Sequence, residues 1–208
     1  MSKEPGESGK RLRLSPAERR EQLLTLGVRM LSDHALEDIS VGDIAAQAGI
    51  SRGLLFHYFP TKQDFQLAIA QRANAELLAR TAPDPNLSLF DMLRDAVQRY
   101  VDYVSQNRTS YLALLRGPAS TSPELTALVD ATRGAIVDRI LAEVPVPIED
   151  ADRPRLRLAV RGWIAFVEET TLSWLRHETI TREQLVDMLV ESLPALALSP
   201  ELSQALRE

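Results

Sequence analysis

The sequence predicts an all-α protein of about nine helices, with an N-terminal three-helix unit built around a helix-turn-helix and joined by a long helix to a C-terminal helical bundle. Three observations predict it. Apolar residues recur at three- and four-residue intervals through most of the chain, the signature of one-sided helices. Hydroxyl side chains stand repeatedly just ahead of these stripes, followed by proline or a carboxylate where a helix start favours them. No segment keeps the two-residue period of a strand over a useful length, and the sequence has no internal repeat.

The 208 residues, 45% of them hydrophobic, can bury one substantial core and a smaller second one. Apolar residues never run unbroken for the roughly 18 positions of a membrane-spanning helix, and the polar N-terminus is unlike a secretion signal. A cytoplasmic location and no membrane partner are therefore expected. Cysteine is absent, which excludes disulfides, zinc-thiolate sites and cysteine nucleophiles. The three histidines, His34, His57 and His177, stand far apart, so no metal, cofactor or catalytic set is expected. The formal net charge of −5 argues against an indiscriminate nucleic-acid binder. Its distribution is uneven: residues 1–62 carry 9 basic and 8 acidic side chains, residues 63–208 carry 15 and 21.

Residues 1–14 mix Gly, Ser, Pro and charge without periodicity and predict a disordered arm ending in the basic run Lys10, Arg11 and Arg13. The first helix begins at Ser15-Pro16-Ala17-Glu18, which supplies a hydroxyl cap, a proline at the first helical position and a carboxylate at the third. Its stripe of Leu23, Leu26, Gly27, Met30 and Leu31 ends near His34. Two short helices follow over 41–48 and 52–58, capped by Ser40 and Ser51, with Ile44 and Ala45 facing inward. Gly49 between them tolerates the positive φ of an abrupt helix stop. Pro60 blocks continuation, and Thr61 caps a longer fourth helix that carries Phe65, Ile69, Ala73, Leu77 and Leu78 toward Arg80 and ends before Pro83 and Pro85.

Five further helices are expected. One spans 89–105, with Phe90, Leu93, Val97, Tyr100, Val101 and Val104 in a single stripe, and a short one covers 111–116. Ser122-Pro123 opens the next, with Leu125, Leu128, Val129, Thr132, Ile136, Ile140 and Leu141 along it; after a loop at 145–152 a long helix runs over 153–177. The capping box Thr181-Arg182-Glu183-Gln184 starts the last, which ends at Leu193. The chain thus divides into an arm, 1–14, a helix-turn-helix domain, 15–62, and a larger helical part, 63–208.

Helix, tight turn and helix over 41–58 is the arrangement by which a second helix enters the DNA major groove while the first braces it on phosphates. Arg52 is the best base reader, because its planar fork pairs with guanine O6 and N7. Gly53 lets the backbone approach closely, Leu54 can meet a thymine methyl, and the hydroxyls of Ser40 and Ser51 can donate to phosphate.

Residues 39–65, ISVGDIAAQAGISRGLLFHYFPTKQDF, resemble the DNA-binding segment of the TetR (tetracycline-repressor-like) family. They hold a D-I-A-x-x-A-G-I-S helix and turn, an aromatic end to the recognition helix and Lys62 three residues beyond Phe59. The motif also follows one capped helix and precedes a larger helical part, so the resemblance covers 15–65 by motif and the remainder by architecture. It implies that His57, Tyr58 and Lys62 lie at phosphates or groove edges. Phe56 and Phe59 are read as core aromatics that lock the small domain. Phe56 stands where the family often has a tyrosine and Gly42 where it often has a longer polar residue, so two phosphate contacts are expected to be missing. Arg11 and Arg13 either replace them, in an adjacent minor groove or on phosphates, or belong to a plain tail.

The two last helices are apolar over wide arcs. The long one carries Leu156, Val160, Trp163, Ile164, Val167, Thr171 and Trp174 on one side and Leu158, Ala159, Gly162 and Phe166 on another; the last carries Leu185, Met188, Leu189 and Leu193. Such arcs fit a homodimer in which both helices pair with their copies in a four-helix bundle, as the resemblance also implies; a wholly intrachain core is the alternative. A two-fold dimer would set two recognition helices on a near-palindromic double-stranded DNA operator. The resemblance further implies a small-molecule effector held in the C-terminal domain, whose binding respaces the reading heads. Tyr100, Tyr103, Tyr111, Trp163, Phe166, Glu169, Thr170 and Trp174 are the candidate lining. Glu169 is either kept for a cationic or hydroxylated ligand or salt-bridged to an arginine. The sequence therefore reads as a DNA-binding transcriptional regulator, a repressor released by its ligand, with a ligand-blind regulator or an activator of the same fold as the alternative. A helical enzyme or carrier using Glu168, Glu169 and His177 lacks any supporting nucleophile elbow, phosphate loop or metal-spaced cluster.

Overall fold

The computed structural model describes residues 14–31, 33–116, 122–144 and 149–197. The basic arm with Lys10, Arg11 and Arg13 and the loop positions 145–148 lie outside the described residues. Within them the chain forms α1 (Pro16–Met30), a 3₁₀ turn (Leu36–Asp38), α2 (Val41–Gln47), α3 (Arg52–Tyr58), α4 (Lys62–Arg80), α5 (Leu89–Gln106), α6 (Arg108–Arg116), α7 (Pro123–Ala142), α8 (Arg153–His177) and α9 (Arg182–Ala197), and no strand.

The helix starts follow from local chemistry. The Ser15 hydroxyl accepts from the Glu18 amide while the Ser15 amide donates to the Glu18 carboxylate at 2.7 Å. Thr61 and Asp64 make the same reciprocal pair at the head of α4, and Thr181 and Gln184 at the head of α9. Single hydroxyl caps at Ser40, Ser51, Ser88 and Ser122 open α2, α3, α5 and α7. Each such cap contributes about 1 kcal/mol.

Burial then sorts the helices. The first core joins α1 to α4: Leu23, Leu36, Ile39, Ile44, Leu55 and Phe65 are fully buried there, and Leu114 of α6 and Leu125 of α7 press on it from the other part of the chain. Gly27 is required at the α1–α4 crossing, since a Cβ there would lie 2.5 Å from Ile69 Cδ1. A second core gathers α5, α7, α8 and α9 around Val101, Val137, Val160, Trp163, Leu185 and Leu189. A third, smaller cluster joins Leu77 of α4 to Tyr103, Val104, Tyr111, Leu172 and Leu175. Helix α4 therefore contributes to both ends of the molecule.

Three expectations change. Helix α6 begins at Arg108, three residues before the expected start, because Asn107 alone separates it from α5. The Asn107 side chain donates to the Tyr103 carbonyl, and the Asn107 carbonyl accepts from the Tyr111 amide. Helix α9 runs through Pro194 to Ala197, past the expected end at Leu193, with Leu193 packed in the second core. Leu185, Leu189 and Leu193, which the dimer reading placed toward a second copy, are 0%, 0% and 6% exposed inside their own chain. The outward positions on these helices are Leu158, 73% exposed, with Gly162 beside it on α8, and Met188 and Leu196 on α9.

The tight approach at Gly27 makes a stability test. Gly27→Val forces two branches into the space of Ile69 and should lower stability by about 1–3 kcal/mol, read as an earlier urea midpoint with an unchanged slope.

Candidate nucleic-acid interface and C-terminal cavity

The turn between α2 and α3 is closed by backbone geometry. Gly49 adopts φ +66°, and the Ile50 amide donates to the Ala45 carbonyl at 2.9 Å. Arg19 of α1 donates to the Ala48 carbonyl at 3.3 Å, which ties this turn to the first helix. Leu55 of α3 and its C-cap Phe59 face inward, and the Arg20 guanidinium lies 5.0 Å above the Phe59 ring.

What remains outward on α3 is a continuous face of Arg52, Gly53, Leu54, Phe56 and His57. Phe56 corrects the sequence reading: it is 40% exposed rather than a core aromatic. The signal was the four-residue step from Leu55 to Phe59, which defines the buried side and leaves 53, 56 and 57 on the other. Gly42 changes meaning as well. A Cβ on Gly42 would collide with the Arg52 guanidinium, so the missing side chain makes the niche in which Arg52 lies against α2. Ser40 and Ser51 accept capping amides and keep their own O–H protons to donate. Tyr58 is half-buried and edge-on to His57 at 5.6 Å. Lys62 donates to the Glu37 carbonyl at 2.7 Å, which fastens the head of α4 to the 3₁₀ turn.

The C-terminal part holds a partly open cavity of about 190 Å³ between α4, α5, α6, α7, α8 and α9. Its wall is apolar, with Phe90, Leu93, Val97, Ile136 and Val160 prominent. Of the eight candidate lining residues, Tyr100, Tyr111 and Trp163 stand on this wall, whereas Tyr103, Phe166, Glu169, Thr170 and Trp174 stand off it. Tyr103 donates to the Ala73 carbonyl, Trp174 donates to the Ile180 carbonyl, and Glu169 pairs with Arg116 near the surface. The sheltered carboxylate on the cavity is instead the neighbouring Glu168, one helical step away. Its oxygens accept from Arg133 at 3.1 and 2.6 Å, and this pairing raises the Arg133 pKa. Arg139, also on the wall, donates to the Leu78 and Thr81 carbonyls at 3.1 and 3.0 Å. Asn74 lines the cavity too, and its side-chain amide nitrogen has no hydrogen-bond partner among the described residues.

Residues 23–74 match the family described as "Bacterial regulatory proteins, tetR family", and residues 89–196 match "Tetracyclin repressor-like, C-terminal domain". The chain belongs to the TetR family. This TetR-family protein is accordingly a DNA-binding transcriptional regulator and not an enzyme. It is similar to the HTH-type transcriptional activator FasR of Mycolicibacterium smegmatis, with 25% identity over 182 residues covering 86% of this chain and 83% of that one. The crystal structure of a TetR-family regulator from Streptomyces coelicolor superposes with a TM-score of 0.79 at 35% identity, over 93% of this chain and 89% of that one. LfrR of Mycobacterium smegmatis, solved in complex with proflavine, shares the fold at a TM-score of 0.54 and 22% identity, over 89% and 99% of the two chains. Among the described residues of this TetR protein no helix is long and apolar enough to cross a membrane, and no group of three or more His, Asp or Glu side chains is placed to hold a metal ion.

The cavity hydroxyls give the TetR fold an alkaline limit. Tyr100 and Tyr111 stand 3.1 Å apart, oxygen to oxygen, and burial pushes both well above the ordinary tyrosine range; burial also pushes Tyr103 up to about 12. Their folded pKa values exceed the unfolded ones, so the stability they carry is complete below about pH 10 and is lost as pH rises through the folded values. The urea midpoint should fall steadily above that pH, with tyrosinate absorbance appearing together with unfolding. In a Tyr100→Phe, Tyr111→Phe double variant most of this decline should vanish.

Proposed function

We propose that this TetR-family regulator is a cytoplasmic homodimer that holds a near-palindromic DNA operator as a repressor and releases it when a small molecule fills the C-terminal cavity. The observation that carries this reading is α4: its first half is embedded in the core that carries α3, and its end borders the cavity through Leu77 and Thr81. Occupancy at one end is therefore mechanically connected to the attitude of the reading helix at the other. Residues 15–62 serve as the reader and 63–208 as the effector and dimer part, with Arg11 and Arg13 of the arm available to a neighbouring groove.

Arg52 reads a guanine edge, Gly53 admits the backbone, and Leu54 meets a thymine methyl. Phe56 joins them as an apolar contact on the same face. Ser40, Ser51, His57, Tyr58 and Lys62 position the reader on phosphates. Dimerisation uses the outward residues of α8 and α9, among them Leu158, Gly162, Met188 and Leu196, since a leucine 73% exposed on a long helix gains most from an apolar partner on a second copy. Activation rather than repression is the second reading, favoured by the name of FasR alone.

Selection of bound DNA from a random pool tests the reader. A near-palindromic winner is expected, bound with steep salt dependence; a pool without enrichment would contradict sequence-specific binding. On that site Arg52→Ala should weaken affinity by about 1–3 kcal/mol and relax preference at one base pair per half-site. Lys62→Ala should weaken all sequences alike and make the salt slope shallower by about 1 for each protomer. Leu158→Arg should convert the dimer to a monomer in light scattering and abolish tight operator binding; an unchanged mass would place the interface elsewhere. Reporter expression in a deletion strain separates repression from activation.

A further inference from the structure

We propose that the cavity takes an uncharged ligand: a small apolar body carrying one hydrogen-bond acceptor, such as a ketone, ester or lactone oxygen. The inference rests on the reading of this cavity as the effector site and specifies what that site selects.

Charge on the wall comes first. Two arginines and one half-buried carboxylate reach the wall, and each is already committed to a partner within the chain. Arg133 and Glu168 neutralise each other through two hydrogen bonds, the Glu168 side chain being 13% exposed. Arg139 is held by the two carbonyls at the end of α4. Glu143, the other acid on the lining, is solvent-exposed at the rim. An ammonium inside would either break the Arg133–Glu168 pair or remain without a counter-ion, and a carboxylate would gain one only by breaking that pair or by drawing Arg139 off the carbonyls at the end of α4; each is costly.

Two donors do lack acceptors. Asn74 is 6% exposed and its amide nitrogen is without a hydrogen-bond partner among the described residues. Within the Tyr100–Tyr111 pair one hydroxyl donates to the other, and the accepting hydroxyl's own proton has no acceptor among the described residues. An acceptor oxygen entering with the ligand satisfies either donor without disturbing a hydrogen bond already made on the wall. Size sets the remaining limit. A dry cavity near 150 Å³ holds benzene, so 190 Å³ suits a guest somewhat larger than one six-membered ring.

Three eight-carbon probes of matched length separate the possibilities: octan-2-one, octanoate and octylammonium, titrated into the full chain at neutral pH. Trp163 lies on the cavity wall and Trp174 does not, so a Trp174→Phe background leaves Trp163 as the single indole reporter, with the melting temperature as a second readout. Octan-2-one is expected to bind at least tenfold more tightly than either ion. Asn74→Leu should weaken the ketone about three- to tenfold, and a Tyr100→Phe, Tyr111→Phe double variant, which preserves shape and removes the other free proton, provides the same comparison should Asn74→Leu fail to fold. An ion that binds as tightly as the ketone overturns the uncharged class while leaving the cavity as effector site. Silence from all three probes in both readouts overturns the cavity reading itself. Ketone binding untouched by either variant overturns the assigned donors.

Discussion

The molecule depends on a single helix shared by two cores. Helix α4 is unbroken over 19 residues, on the order of 28 Å at 1.5 Å per residue. Phe65, Ala68, Ile69 and Ala70 fasten its first half to α1 and the recognition unit, and Leu77 packs near its end among residues of α5, α6 and α8. Its start is fixed by the Thr61–Asp64 capping box and by Lys62 reaching the Glu37 carbonyl. Neither end can rotate freely without disturbing close packing, which is far stiffer than a flexible linker would be.

Charge is used differently at the two ends. The outward face of α3 carries Arg52 and His57, in a segment that is nearly balanced in charge. The C-terminal part is acidic in sum, yet its arginines are largely paired: Arg157 with Asp138, Arg161 with Asp130, Arg133 with Glu168 and Arg116 with Glu169 stitch α7 and α6 to α8. Exposed members of that set contribute little individually. The Arg133–Glu168 pair is the most sheltered of them and also stands on the cavity wall.

Local chemistry made most of the helices legible in the sequence. Caps at Ser15, Ser40, Ser51, Thr61, Ser122 and Thr181 are decided within four residues, and the structure starts helices at each. What could not be read depends on residues distant in sequence or on a single helical step. Arg108 begins α6 because Asn107 folds back onto Tyr103, with no capping pattern to announce it. Glu168 and Glu169 are adjacent in sequence but about 100° apart around α8, and only the position of Arg133 on α7 decides which one is sheltered. The same applies to Phe56 against Phe59. A cavity is harder still, since it is the absence of atoms between six helices, and composition cannot distinguish its wall from an ordinary core.

The two hydrogen bonds from Arg139 to the Leu78 and Thr81 carbonyls mean that the last turn of α4 is completed by a side chain from α7 and not by water alone. Such an arrangement makes the two helices thermodynamic partners. Under the proposed function, a guest that displaces the arginine and a duplex that demands a particular setting of α4 are coupled through the free energy of parting Arg139 from those carbonyls, and that coupling is reciprocal. Each bond is worth roughly 0.5–3 kcal/mol, the same order as the coupling found between sites in regulatory proteins.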